Sequence, residues 1–332
     1  MTRAPANTSS TSKRNSVNNP GVLCPAKINL GLTVHHRRPA DGYHYISSIF
    51  IPIDFGDELN VAVAASASAA DRFTTANELP PEIRADFEAV SERAAATAGQ
   101  SNLVWRALAA TRHLRDTALD VHLIKRVPTG GGLGGGSSDA GTLLAWIRDH
   151  YGISNDTLAP IAAGLGSDVP FFLYGRPALI HGTGDIIEPI PIGAGYGVLC
   201  FPMLKIETGI AYSYLKRTLQ PAPPPRILSG LHTGLRNSLA QSDWSAVRSL
   251  ENDFEAPVFA MFPSLGQVKQ AFFEHGASFA SLSGSGSSLY GLVASDREQQ
   301  RVLERMRSQF KDFRFQAFRF GGSMLKDQDP AS

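Results

Sequence analysis

The chain is short of cysteine and of unbalanced charge. Its 332 residues include only two cysteines, Cys24 and Cys200. Two are too few for a disulfide framework, and they lack the paired spacing of a structural metal site. The expectation is a reducing compartment and a cytoplasmic location. Basic and acidic residues number 31 and 30, so no positive field is present to hold nucleic acid or an anionic membrane surface. No apolar run reaches the roughly 18 residues a membrane-spanning helix needs. Residues 1 to 20 contain no acidic residue and are rich in Ser, Thr, Asn and Pro, a composition expected to be a disordered tail. The same acid-poor, Ser-rich start also resembles an organelle import peptide, although it is shorter than most. Small-molecule chemistry remains, in a chain long enough for two domains with their own cores.

Glycine, by contrast, is concentrated. Six glycines fall among residues 130 to 136, with Leu133 the exception. Glycine loses more conformational freedom on folding than any other residue, so such a run destabilises the fold unless the missing side chains leave room for something. Leu119, Val121 and Leu123 alternate as a strand before it. After it, Ala140, Leu143, Leu144 and Ile147 recur at helical spacing, with Ser137, Ser138 and Asp139 placed to cap that helix. A strand, a bare loop and a helix start bring free N–H groups and a positive helix end to one point, which suits phosphate. Gly130, Gly132 and Gly135 also fit G-x-G-x-x-G, but the acid expected about 20 residues later on a second strand is missing, because Asp149 falls late in the same helix. A Walker loop needs Lys after its last glycine, and Ser137 stands there. A flexible linker would not be flanked by a strand and an amphipathic helix.

Elsewhere the pattern is of strands and short helices. From Val22 to Val34, Ile28, Leu30, Leu32 and Val34 share one strand face, and Lys27, Asn29 and Thr33 the other. Lys27 reads equally as a solvated lysine and as a functional one. Asp41-Gly42 signals a turn into a returning strand from Ile46 to Ile53, with Tyr43 and His44 at the junction. Residues 61 to 100 are Ala-rich and are expected to form loops and short helices. Ser101-Asn102 and Ser154-Asn155-Asp156 are placed to cap helices, one from Leu103 to about His113 and one ending near Gly164–Gly166. Asp168, two residues ahead of Pro170, reads first as another cap. Gly182 to Asp185 makes a hairpin turn, Tyr196 to Phe201 a strand, and Pro221 to Pro225 a rigid loop. Ser283-Gly-Ser-Gly286 lies between a helix near 265 to 275 and a strand from 289 to 293.

Three motifs in this order, Pro25-Ala-Lys-Ile-Asn29, the 130 to 139 loop and Ser283–Gly286, resemble the GHMP small-molecule kinases over nearly the whole chain after residue 20. The resemblance implies an α+β fold of two domains, 21–195 and 196–325, with the active site in the cleft between them. It implies ATP-dependent transfer of phosphate to an alcohol, with Lys27 and Asp168 as the catalytic pair. Asp168 would accept the hydroxyl proton while Lys27 keeps it ionised and offsets phosphoryl charge. Pro128, Gly130, Gly131, Gly132, Leu133, Gly134, Gly135, Gly136, Ser137 and Ser138 would hold ATP, which brings Mg²⁺ as its own complex, and no tightly bound cofactor is expected. No carboxylate is singled out as a ligand of the metal. Within the family, Asp41-Gly-Tyr-His44 and Ser167-Asp-Val-Pro170 are similar to the members that act on 4-diphosphocytidyl-2-C-methyl-D-erythritol, phosphorylating its 2-hydroxyl in the non-mevalonate route to isoprenoids. There Tyr43 and Tyr212 would stack on cytosine and His44 bond its edge, with Asn29, Thr208, Gly284, Ser285 and Gly286 also on the substrate. The alternatives are a sibling kinase acting on an alcohol of the homoserine or mevalonate type, and a nucleotide sensor without catalysis. One departure stands out: His181-Gly-Thr-Gly-Asp185 occupies a place where the family commonly has a basic residue and Glu.

Overall fold

The computed structural model describes residues 21–64, 69–79, 102–202, 204–220 and 233–322. The readings made for 1 to 20, for 80 to 100 and for Pro221–Pro225 lie outside the described residues. Strands β1 (Val22–Arg37) and β2 (His44–Val63) form a long antiparallel pair. Its register slips between Pro25 and Lys27 and again between Leu30 and Leu32. β2 also pairs with β4 (Leu119–Lys125) and, at residues 48–50, with β5 (Ala178–His181). β3 (Arg72–Asn77) runs parallel to β4, and β6 (Ile186–Pro189) returns on β5 across the 182–185 turn. β7 (Gly195–Phe201), β8 (Phe279–Leu282), β9 (Leu289–Val293) and β10 (Arg314–Phe320) form a second antiparallel group in the order β10-β7-β9-β8. Phe320 opposite Ile53 joins the two groups.

Helices cover the outer faces. α1 (Leu103–Thr111), α2 (Gly135–Tyr151), α3 (Asn155–Leu165) and α4 (Val169–Tyr174) lie with the first group. Leu143, Leu144 and Ile147 of α2 share a core with Leu119, Val121 and Leu123, the periodicities that announced both elements. α5 (Thr208–Tyr214), α6 (Thr233–Ala240), α7 (Glu255–Met261), α8 (Pro263–Glu274) and α9 (Asp296–Gln309) follow in the second half. Val268 and Phe272 of α8 and Val302 and Met306 of α9 pack with Val198, Leu282 and Leu289. A third core crosses the seam, from Ile28, Ile51 and Ile53 to Leu199, Tyr290, Phe318 and Phe320.

Three expectations are corrected. The Ala-rich stretch is not only loops and helices: β2 runs on to Val63, and Arg72–Asn77 is a strand because it completes the edge of β4. Ser283–Gly286 is the tip of the β8–β9 hairpin rather than a helix-to-strand connection. α2 begins at Gly135 with left-handed Gly134 as its cap residue, and no side chain caps it. Ser137, Ser138 and Asp139 therefore lie inside its first turns, where their side chains are free for other partners.

Phe320 is buried at the seam and meets the Trp244 ring edge-on at 4.9 Å. Replacing it with Ala should cost about 3 to 5 kcal/mol. Urea unfolding followed by fluorescence would show this as a lower midpoint, and a midpoint unchanged from the native protein would contradict a shared core.

Candidate active site

Lys27 sits in the middle of β1, whose second face is covered by the glycine loop and the 283–286 hairpin tip. Its backbone N–H donates to Leu133 O at 3.0 Å, and Ser283 Oγ donates to Lys27 O at 3.3 Å and to Gly132 O at 3.0 Å. Both Lys27 and Asn29 are buried, so the strand face expected to be polar is polar but not solvated. The Lys27 ammonium donates to Asn29 Oδ1 and stands 4.7 Å from the centre of the Phe50 ring. Burial pulls its pKa below the ordinary lysine value, and the Asp168 carboxylate pushes the other way. Asn29 is fixed in turn: its Nδ2 donates to Ser48 Oγ at 3.0 Å, and its Oδ1 accepts from Gly284 N at 2.9 Å.

The glycines are not all spent on a ligand. Gly132 has φ +77°, and a Cβ there would lie 2.0 Å from Ser283 O. At Gly134, φ is +72° and a Cβ would meet the Phe172 ring at 2.9 Å. Part of the room the sequence offers to phosphate is therefore taken by the protein's own backbone and by an aromatic side chain of α4. Ser138 Oγ donates to Pro25 O at 2.6 Å, turned away from the cavity.

Asp168 occupies the cap position of α4, ahead of Pro170, yet its side chain makes no capping bond. The helix-cap reading of this residue fails on that point, and Asp168 lines the cavity.

One cavity of about 650 Å³ gathers these residues. Lys27, Asn29 and Asp168 line it, as do Pro128, Ser137 and the loop glycines 130–132 and 134–136. So do Tyr43, His44, Thr208, Tyr212, Gly284 and Ser285. Leu133, Ser138 and Gly286 are not among the lining residues. At the far end His44 faces Tyr212 with ring centres 4.7 Å apart, while Tyr43 is 62% exposed and stands clear of both. Phe254 meets Tyr212 edge-on at 4.9 Å. Burial, then Asp168, pushes the Tyr212 phenol up to about 12. Burial, then Arg37 and Arg217, holds His44 below the ordinary imidazole value of 6.5, so it is neutral at neutral pH.

Sequence reasoning missed the support beneath the loop. Lys125 Nζ lies between Asp57 and Asp139, 2.7 Å from the latter, and all three are buried. Asp57 Oδ1 also accepts from the backbone N–H groups of Arg126 and Val127. The group ties β2 to the end of β4, where the loop starts, and both to the second turn of α2. The signal in the sequence was Asp139 itself, which reads as a cap until the helix start is known. Phe50, Phe254 and Asn252 carried no sequence signal, since their roles depend on long-range contacts.

Comparison with known proteins identifies the family. The GHMP kinase N-terminal domain model matches residues 102–176, and the GHMP kinase C-terminal model residues 235–312. A 4-diphosphocytidyl-2-C-methyl-D-erythritol kinase of Leptospira interrogans is 37% identical over 303 residues, 90% of this chain and 100% of the relative. The chain belongs to this GHMP kinase family. A second kinase of the same name, from Chlorobium chlorochromatii, is 37% identical over 86% of the chain and 92% of its own length. A crystal structure of a 4-(cytidine 5'-diphospho)-2C-methyl-D-erythritol kinase superposes with a TM-score of 0.69 at 30% identity, covering 91% of this chain and 99% of that one. Homoserine kinase from Cytophaga hutchinsonii, at 19% identity and a TM-score of 0.60, shares the fold.

Removing one partner of a buried charge group is expected to cost roughly 3 to 5 kcal/mol, so Lys125→Met should be strongly destabilised. Its pH dependence has a definite sign. Burial already raises the Asp139 carboxyl well above 3.8, with Lys125 opposing that rise. Without Lys125 the folded pKa climbs further above the unfolded one, so folding favours the protonated acid. Relative to the native protein, the variant should regain stability as the pH falls from 8 toward 5. Urea midpoints that shift in parallel for both proteins would contradict this.

Proposed function

We propose that this cleft transfers the γ-phosphoryl group of ATP to the 2-hydroxyl of 4-diphosphocytidyl-2-C-methyl-D-erythritol. The observation that carries the reading is the cavity itself: a glycine loop at a helix start, the buried Lys27 with the half-buried Asp168, and an aromatic–histidine end open onto one space. Phosphoryl transfer asks the protein mainly for alignment, charge neutralisation and a group to take the hydroxyl proton. Backbone N–H groups of the loop and the N-terminus of α2 hold the ATP phosphates. ATP enters as its Mg²⁺ complex, a metal that rests largely on substrate phosphates and water. Among the described residues no group of three or more His, Cys, Asp or Glu could hold a metal ion on its own.

Asp168 accepts the proton as the acceptor oxygen attacks the γ-phosphorus, the bond to the bridging oxygen breaks, and ADP leaves. Lys27 offsets charge on the transferring group, and the neighbouring Asp168 carboxylate opposes the fall in its pKa that burial causes. At the other end the cytosine stacks between Tyr43 and Tyr212 while neutral His44 bonds its edge. The exposure of Tyr43 leaves that ring free to close over a base. Thr208 and Ser285, with their hydroxyls 3.3 Å apart, line the path between the two ends.

ATP consumption with this acceptor tests both ends separately. Asp168→Asn should lower kcat by roughly 10²- to 10⁴-fold. Tyr43→Ala removes a stacking platform of about 1 to 3 kcal/mol, so it should act mainly on KM for the acceptor. Near-native kcat in Asp168→Asn would exclude it as the base. The acceptor KM should be flat above pH 6.5, the ordinary imidazole value, and rise below it as His44 takes a proton. A flat profile through the acid range would remove His44 from base reading.

A further inference from the structure

The cations around the glycine loop are mostly committed to other partners. Lys27 is buried against Asn29 and opposite Asp168. Lys125 is held between Asp57 and Asp139, and Arg126 pairs with Glu58 and Glu78. A nucleoside triphosphate keeps net negative charge even with Mg²⁺ bound, and that charge needs a cation that no carboxylate already holds.

Lys205 meets this requirement. It lies in the segment between β7 and α5, in the half of the chain opposite the glycine loop. Its stem runs against the loop: Cγ and Cε stand 3.6 and 4.0 Å from where a Cβ on Gly130 would be, and among the described residues nothing else but the chain neighbours of Gly130 comes within 4 Å of that point. Among the described residues no carboxylate is within ion-pair distance of its ammonium.

The backbone on both sides is pinned, so this is not a lysine on a free loop. The carbonyl of Leu204 accepts from Ser287 Oγ, Ile206 is buried, and Thr208 pairs with Ser285. The same short segment thus places Lys205 on the glycine loop, Thr208 on the hairpin tip and Tyr212 against His44.

We infer that Lys205 binds the triphosphate tail of ATP from across the cleft, its stem resting on Gly130 and its ammonium donating to phosphate oxygens. This rests on the reading that the glycine loop holds the ATP phosphates. Lys205 then acts on nucleotide binding, whereas Lys27 acts on the transferring group.

Two measurements on the full chain test it. In steady-state kinetics Lys205→Ala should raise KM for MgATP by about five- to tenfold, as loss of one partly exposed charge-assisted contact predicts. The acceptor KM and kcat should stay near native. Lys205→Arg should restore most of the affinity, and Lys205→Glu should weaken it beyond Ala. Independently, brief acylation of native protein read by mass spectrometry should label Lys205 freely, and saturating MgATP should suppress that labelling severalfold. A native MgATP KM in Lys205→Ala, or equal labelling with and without MgATP while titration shows the nucleotide bound, would overturn the inference and leave the kinase reading standing. If titration shows that native protein does not bind MgATP, the glycine-loop reading falls and this one falls with it.

Discussion

The close approach of the glycine loop to the β8–β9 hairpin tip, across β1, is the constraint on which the rest of the site depends. The Gly132 backbone lies so near Ser283 O that a single methyl group would occupy the same space. Ser283, Gly284 and Asn29 tie the three segments together through Lys27 O, Gly132 O and the Asn29 amide oxygen. Asn252 closes the set from behind, donating to Leu282 O and Gly284 O at 2.9 Å each. These segments are separated by more than a hundred residues of sequence. The Lys27 ammonium has a defined position only once all of them have met, so catalytic geometry and global folding are the same event at this point.

Much of this was legible in the sequence, and the part that was not has a physical pattern. The strand before the glycine loop and the helix after it followed from their periodicities, and α1 and α3 followed from the runs Ser101-Asn102 and Ser154-Asn155-Asp156, in which Asn102 and Ser154 are the residues that cap. Lys27, Asp168, His44 and Tyr212 could be named only through the resemblance to the GHMP kinases, since residue type alone left the first two ambiguous, and the fold brings all four to one cavity. The start of α2 was misread because Ser-Ser-Asp looks like a cap, whereas Gly134 turns the chain one residue before the helix. Ser138 was assigned to a ligand although its hydroxyl bonds Pro25 O. The Asp57–Lys125–Asp139 group could not have been found by spacing, because it joins a strand, a second strand and a helix.

Buried charge is used sparingly and in two ways. Beneath the loop, one lysine between two carboxylates locks elements together and leaves no charge free for a ligand. In the cleft, Lys27 is buried beside an aromatic ring with Asp168 as its electrostatic counterweight, an arrangement suited to chemistry rather than to stability. The homoserine kinase that shares this fold shows that fold does not select the acceptor. On the proposed reading, selection falls to the end of the cavity lined by Tyr43, His44 and Tyr212, where burial and the nearby arginines hold the histidine pKa below its ordinary value.

The most direct measurement is phosphate transfer itself, followed by ³¹P and ¹³C NMR with native protein, MgATP and a panel of alcohols. The expected result is a single product, 4-diphosphocytidyl-2-C-methyl-D-erythritol carrying phosphate on its 2-hydroxyl, with homoserine and mevalonate left unmodified. Phosphate appearing on either of those alcohols instead, or no transfer to any acceptor, would contradict the assignment of this cleft.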